Sequence, residues 1–143
     1  MGDEVDSDPA VRTRLAPLRE HGLVVDLLEP GVALDLFQDL RQRFFEPAFE
    51  AAHTLDAGDE SRDEIITWLR GLPISPELRV IVCWPHYRAA VRLRFGDVAR
   101  HYDDLWYPSA DDVWITDERT SWLLQLDHEE RLAFWSRPLL RSV

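Results

Sequence analysis

The spacing of apolar residues in this sequence changes near residue 78, and that change predicts the fold class. Before it, apolar residues recur at helical spacing, as between Ala33 and Phe45. After it, residues 78–84 (LRVIVCW) form an apolar run rich in β-branched residues, and residues 88–95 alternate apolar side chains with arginine. We therefore predict an α+β fold: N-terminal helices followed by an antiparallel sheet of about five strands, with the helices packed on one face.

The helical half contains three segments with recognisable ends. The first runs from Pro9, a residue favoured at the first position of a helix, to a C-terminal cap at Gly22. The second covers residues 30–45. The third begins with a capping box of Ser61 and Glu64, in which the serine caps the helix and the glutamate follows three residues later.

The remaining segments predict connections and a meander of three strands. Residues 46–60 mix small and acidic side chains and indicate a loop, whereas residues 23–28 fit either a short strand or a buried connection. Three short apolar runs separated by acidic turns predict antiparallel strands near 113–116, 121–126 and 131–135.

The length of 143 residues predicts one domain. We expect residues 1–8 to form a mobile acidic tail and residues 9–143 to form a single globular domain. The N-terminal segment has no apolar run of the signal-peptide kind, and no stretch approaches the roughly 18 apolar residues of a membrane span. With a single cysteine, Cys83, no internal disulfide can form. We expect a cytoplasmic protein that does not enter a membrane.

The charge of the chain favours one kind of partner. With 27 acidic and 16 basic residues the net charge is -11, which repels the phosphate backbone of nucleic acids and attracts basic proteins. Solubility alone is the simpler explanation of such a charge. Every basic residue is arginine, so the chemistry of Schiff-base lysines and phosphate-loop lysines is excluded.

An acidic and aromatic segment near the middle of the chain supplies the candidate site. Three interpretations fit it: a surface that binds a basic partner, a hard-metal site, and an aspartate-rich turn that caps neighbouring elements. The spacing of the carboxylates matches no EF-hand loop, so we assign no metal and no other cofactor. The candidate partner-binding residues are Asp103, Asp104, Trp106, Tyr107, Asp111, Asp112 and Trp114.

Three arginines of the alternating segment raise a second possibility. Arg88, Arg92 and Arg94 point to the same side of the predicted strand, where they either bind an anion or pair across the sheet with acids such as Asp112 or Glu130.

No motif assigns a catalytic residue. The histidines show no HExxH spacing and no cysteine cluster, and neither a GxSxG elbow nor a glycine-rich phosphate loop is present. Cys83 lies close to His86 in sequence, but a strand position directs its thiol into the core. Trp114 and Trp135 are out of phase with their aliphatic neighbours, which predicts a second sheet face that is either half-exposed or covered by other elements.

The order of helices and strand meander, together with Trp106-Tyr107-Pro108-Ser109-x-Asp111-Asp112-Val113-Trp114-Ile115, resembles SUKH-type bacterial immunity proteins, mainly over residues 78–135. The resemblance implies a non-enzymatic α+β domain that neutralises a secreted toxin by binding it. Our hypothesis is an immunity or antitoxin protein that binds a basic protein partner such as a toxin. The alternatives are a small carboxylate- or metal-dependent enzyme, and a structural module that forms a homodimer through its tryptophan face.

Overall fold

The computed structural model describes residues 9–45, 53–107 and 112–136. Helices and strands are partly interleaved along the chain, so the helices precede the sheet only in part. The helices are α1 (Pro9–Glu20), α2 (Pro30–Leu40), α3 (Arg62–Arg70), α4 (Phe95–Arg100) and α5 (Tyr102–Leu105). The strands are β1 (Asp26–Leu27), β2 (His53–Asp56), β3 (Arg79–Trp84), β4 (Ala89–Arg94), β5 (Val113–Thr116), β6 (Trp122–Leu126) and β7 (Arg131–Ser136).

The strands form one antiparallel sheet in the order β1-β4-β3-β5-β6-β7-β2. The predicted central strand is confirmed as β3, and the predicted meander is confirmed as β5, β6 and β7. The prediction of about five strands is wrong, because two short edge strands bring the number to seven.

Each added strand lies at one edge of the sheet. β1 has two residues and pairs with β4, and β2 pairs with β7 inside the segment that we predicted to be a loop. Of the four side chains of β2, Leu55 is half-buried and the others are exposed. An edge strand with so little burial lacks the alternation by which strands are recognised in a sequence.

The prediction that helices pack on one face is wrong, because helices cover both faces of the sheet. Alternate residues of β3 separate the two cores: Val80 and Val82 belong to the first-face core, and Ile81 and Cys83 belong to the second-face core. Helices α1, α3, α4 and α5 pack on the first face, whereas α2 packs on the second through Ala33, Phe37 and Leu40.

The two predicted turns of the meander are stabilised in the same way, by an aspartate at the start of the turn. Asp117 and Asp127 each begin a turn, and the Oδ1 atom of each accepts hydrogen bonds from two backbone N–H groups that follow. Each turn ends in a residue with positive φ, Thr120 at 51° and Glu130 at 62°. The aspartates therefore satisfy the backbone groups that these unusual conformations leave without a strand partner.

Two predicted helix ends are confirmed. Gly22 has φ +79°, and the N–H of Leu23 donates to the carbonyl of Leu18, which closes α1 as a Schellman motif. At the start of α3, the Ser61 hydroxyl accepts a hydrogen bond from the N–H of Glu64 at 3.2 Å.

Cys83 points into the second-face core, as predicted, and its side chain is fully buried. Burial raises the pKa of the thiol far above its ordinary value, so the reactive thiolate is suppressed. His86 lies on the neighbouring turn and is exposed, with its ring edge-on to Tyr87. Among the helices that the structure describes, none has the length and apolar character needed to span a bilayer.

Candidate functional site

The structure distributes the predicted partner-binding residues over separate places. Trp106 belongs to the first-face core and Trp114 to the second, so the sheet itself separates the two rings. Trp114 is 8 % exposed and lies under α2, where Phe37 meets its ring edge-on at a centroid distance of 6.2 Å. The Arg41 guanidinium lies 5.5 Å from the same ring. Trp114 therefore lies in the second-face core, on the opposite side of the sheet from Trp106.

Asp112 supports a turn. Its Oδ1 atom accepts a hydrogen bond from the backbone N–H of His128 at 2.9 Å and lies 3.0 Å from Nδ1 of the same residue. The hydrogen bond between the Asp112 carboxylate and the imidazole of His128, together with the negative charge of Asp112, raises the pKa of His128. Asp112 thereby holds the β6–β7 turn, which also carries Glu130. Asp111 lies outside the described residues.

Asp104 is directed towards two histidines. Its Oδ2 atom lies 3.8 Å from Nε2 of His21 and 3.8 Å from Nδ1 of His101. Burial and the neighbouring His21 ring lower the pKa of His101. His21 and His101 show no metal-type spacing in the sequence because they meet only through the packing of α1 on α5.

The remaining three predicted residues lie together. Asp103, Trp106 and Tyr107 line a groove of about 450 Å³ on the first-face side of the molecule. We call it the acidic groove; its other lining residues are Ala57, Glu60, Ile65, Tyr102 and Glu130. Three carboxylates thus surround a floor of aromatic and aliphatic side chains.

Local interactions fix the walls of the acidic groove. The N–H of Ala57 donates to the carbonyl of Glu130 at 2.8 Å, which joins the turn after β2 to the β6–β7 turn. A side chain at Gly58 would place its Cβ 2.9 Å from Oε2 of Glu130, so the glycine lets that carboxylate lie against the turn. Asp56 caps the same turn by accepting from the N–H of Gly58.

Negative charge is concentrated beside the groove. Residues 56–64 contain five carboxylates and one arginine. A side-chain hydrogen bond with Glu64 and the charge of Glu64 raise the pKa of Glu60, and the same hydrogen bond lowers the pKa of Glu64. The two carboxylates therefore influence each other's protonation.

Two arginines already contact the groove residues. Nε of Arg62 lies 3.0 Å from Oδ2 of Asp103, and a terminal nitrogen of Arg62 donates to the carbonyl of Arg100. The Arg14 guanidinium lies 4.6 Å from the centre of the Tyr107 ring. Asp103 and Tyr107 are therefore already contacted by arginines of this chain, one through an ion pair and one through a cation–π contact.

Trp106 has an unusual polar atom. Its ring is 4 % exposed, and its Nε1 donor has no acceptor among the residues that the structure describes. By contrast, Nε1 of Trp84 donates to the carbonyl of Leu105 at 2.9 Å. An unpaired buried donor of this kind is rare in folded proteins.

The arginines that we considered for anion binding do not form one site. Arg92 pairs with Glu118 at 2.6 Å and with Asp26 at 3.6 Å, so the predicted partners Asp112 and Glu130 are wrong for this residue. Arg88 lies in the β3–β4 turn with φ 55°. Arg94 lines a different cavity of about 420 Å³ with Arg70 and Arg100, where Glu77 and Asp97 offset much of the positive charge.

No family model matches the sequence, no curated protein matches it, and no solved structure matches the fold. The likeness to SUKH-type immunity proteins thus stays a prediction from the sequence.

Proposed function

We propose that this protein is a non-enzymatic binding protein of the immunity or antitoxin type, and that its acidic groove binds a basic protein partner. The supporting observation is the convergence of Glu60, Asp103 and Glu130, from three separate parts of the chain, around one aromatic floor. Sites that bind ligands generally combine apolar walls with a few converging polar groups.

The rim of the acidic groove suits a positively charged side chain. Glu60 is half-buried and Glu130 is exposed, and neither carboxylate forms an ion pair with an arginine within the described ranges. Asp103 already pairs with Arg62. Glu60 and Glu130 are therefore the carboxylates with most capacity to accept hydrogen bonds from an incoming guanidinium or ammonium group.

The floor of the groove suits the same kind of side chain. Tyr102 and Trp106 lie with ring centroids 6.5 Å apart and planes inclined at 44°. Aromatic faces attract guanidinium groups, as the contact of Arg14 with Tyr107 illustrates. An arginine of the partner thus finds apolar groove walls for its stem and carboxylates for its head.

The charge of the whole chain adds a long-range contribution. A net charge of -11 accelerates the approach of a basic partner at low salt. Salt screens charges over about 8 Å at physiological ionic strength, so association should slow as salt is added.

The test compares two double variants with the same change of charge. Glu60→Gln with Glu130→Gln neutralises the rim, whereas Glu29→Gln with Glu77→Gln neutralises two exposed acids that do not line the groove. Each protein is used to capture partners from a lysate of the source organism at low and high salt. The affinity of the retained protein, once purified, is then measured by calorimetry.

We expect one stoichiometric basic protein on the wild type and on the control, released by high salt. Hydrogen bonds to charged groups contribute about 1.5–3 kcal/mol each before solvent screening, so the rim variant should bind about 10- to 100-fold more weakly. Equal affinity of the rim variant and the wild type would reject the acidic groove as the binding site. A retained partner without a basic surface would reject the electrostatic argument.

A further inference from the structure

A second cluster of functional groups lies outside the acidic groove, at the end of α1. One ligand atom from each of His21, His101 and Asp104 can be chosen so that all three lie within 4.8 Å of one another. Each histidine nitrogen lies 3.8 Å from the same oxygen, Oδ2 of Asp104. These separations exceed the length of a hydrogen bond, and the rings of His21 and His101 pack against each other with centroids 4.6 Å apart.

The backbone holds each member of this cluster at a helix end. His21 directly precedes Gly22, whose positive φ reverses the chain after α1. His101 lies between α4 and α5; its N–H donates to the carbonyl of Asp97, and its own carbonyl accepts from the N–H of Asp104. The three side chains thus meet because α1 packs beside α5, which places residues far apart in sequence on one spot.

The three side chains differ in how much of each is exposed to solvent. The side chain of His101 is 11 % exposed, that of Asp104 is 31 % exposed, and that of His21 is 55 % exposed. One ligand is therefore fixed by packing, and the cluster opens to solvent on the side of His21. Such an arrangement leaves room for a water molecule as a further ligand.

The separations are close to those of a tetrahedral zinc site. Zinc bonds to histidine nitrogen and carboxylate oxygen are about 2.0–2.2 Å long, which sets neighbouring ligand atoms roughly 3.4 Å apart in a tetrahedron. The two observed nitrogen–oxygen separations of 3.8 Å are a few tenths of an ångström larger, and the two histidine nitrogens lie within 4.8 Å of each other. Metal binding therefore requires a small inward movement, for which the exposed His21 side chain has the most freedom.

The ligand types select the class of metal. Two imidazoles and one carboxylate suit zinc and neighbouring transition metals, whereas calcium and magnesium prefer oxygen ligands alone. We propose that His21, His101 and Asp104 bind one Zn²⁺ ion, with water completing the coordination on the exposed side. Bound there, the ion joins the end of α1 to the junction of α4 and α5.

This site is separate from the acidic groove, although α5 contributes to both. Asp103 is directed towards Arg62 and the groove, whereas Asp104 is directed towards the histidines. Loss of zinc binding would therefore leave the proposed function untouched, and loss of partner binding would leave the zinc proposal untouched.

The test measures zinc binding to the full-length chain after treatment with a chelator, by isothermal titration calorimetry. We expect one equivalent of Zn²⁺ to bind the wild type, and both His21→Gln and Asp104→Asn to weaken binding by at least about 10- to 100-fold. His21 is exposed, so its substitution leaves the fold intact. His86→Gln, which changes an exposed histidine outside the cluster, should bind as the wild type does.

Cobalt binding, followed by visible absorption spectroscopy, provides a second test of the same site. Co²⁺ in a four-coordinate site absorbs visible light strongly, and this absorption should appear in the wild type and be absent from His21→Gln. A third variant, His128→Gln, tests the other His–Asp pair of the described chain. The proposal is overturned if no stoichiometric zinc binding is found, or if binding survives His21→Gln and Asp104→Asn but is lost in His128→Gln.

Discussion

The two faces of the sheet use aromatic residues in opposite ways. On the first face, Tyr102 and Trp106 form the floor of a groove with carboxylates at its rim. On the second face, Phe37 of α2 packs edge-on against Trp114, and α2 covers the Trp114 ring. Similar residue types therefore become a candidate binding surface on one face and a closed core on the other.

The cause of this difference lies in the covering helices. On the second face, α2 presents Ala33, Phe37 and Leu40, all buried, directly to the sheet. On the first face, α5 is a single turn that is followed by Trp106 and Tyr107, so part of their aromatic surface borders the groove. Aromatic content alone therefore does not indicate a binding surface.

The largest expected effect concerns the second-face core. Replacing Trp114 by alanine should lower the free energy of unfolding by about 3–5 kcal/mol, because the ring fills the space between the sheet and α2. Urea denaturation at neutral pH measures this loss. Trp135, which is half-buried on the same face, is the control and should cost clearly less when replaced by alanine. A loss below about 1 kcal/mol at Trp114 would mean that α2 does not cover this face.

A smaller difference in stability is expected between variants of two tryptophans on the first face. Trp84→Phe removes a donor that is bonded to the carbonyl of Leu105, whereas Trp106→Phe removes a donor without an acceptor in the described part of the chain. Both changes remove similar volume, so the difference between them isolates the hydrogen bond. We expect Trp84→Phe to be more destabilising by about 1 kcal/mol in urea denaturation. Equal losses would contradict the contrast between the two indole groups.

The smallest effect depends on pH. Asp112 raises the pKa of His128 above its ordinary value. Protonation of His128 therefore stabilises the fold; this contribution is complete below the unfolded pKa of about 6.5 and is lost as pH rises through the folded pKa. In urea denaturation, the advantage of the wild type over His128→Gln should be larger at pH 5.5 than at pH 8. An advantage that is the same at both pH values would remove this interpretation of the turn.

The strands that were predicted correctly have clear apolar patterns in the sequence, because their side chains are buried. β3 is buried on both faces and appears in the sequence as the apolar run 78–84. The meander was recognisable because each strand has a strong apolar run and each turn begins with an aspartate. The edge strands β1 and β2 were not recognisable, because they are two and four residues long and are mostly exposed.

Some residues of the candidate site are close together in the sequence, whereas others are far apart in the sequence and meet only in the fold. Asp103, Trp106 and Tyr107 are close in sequence, and all three line the acidic groove. Glu60 and Glu130 reach the groove through the contact of two turns, which no local pattern encodes. The alternation of the strand predicts that Trp114 lies on the second face, but the sequence does not show that α2 covers that face.

The burial of Cys83 has a consequence for experiments on folding. Its thiol lies in the second-face core, fully buried, on the strand between β4 and β5. A thiol reagent can reach it only when the sheet or its α2 cover opens, so the rate of labelling reports how often that opening occurs. As the only cysteine in the chain, Cys83 is a built-in reporter of opening at the centre of the sheet, and no engineered label is needed.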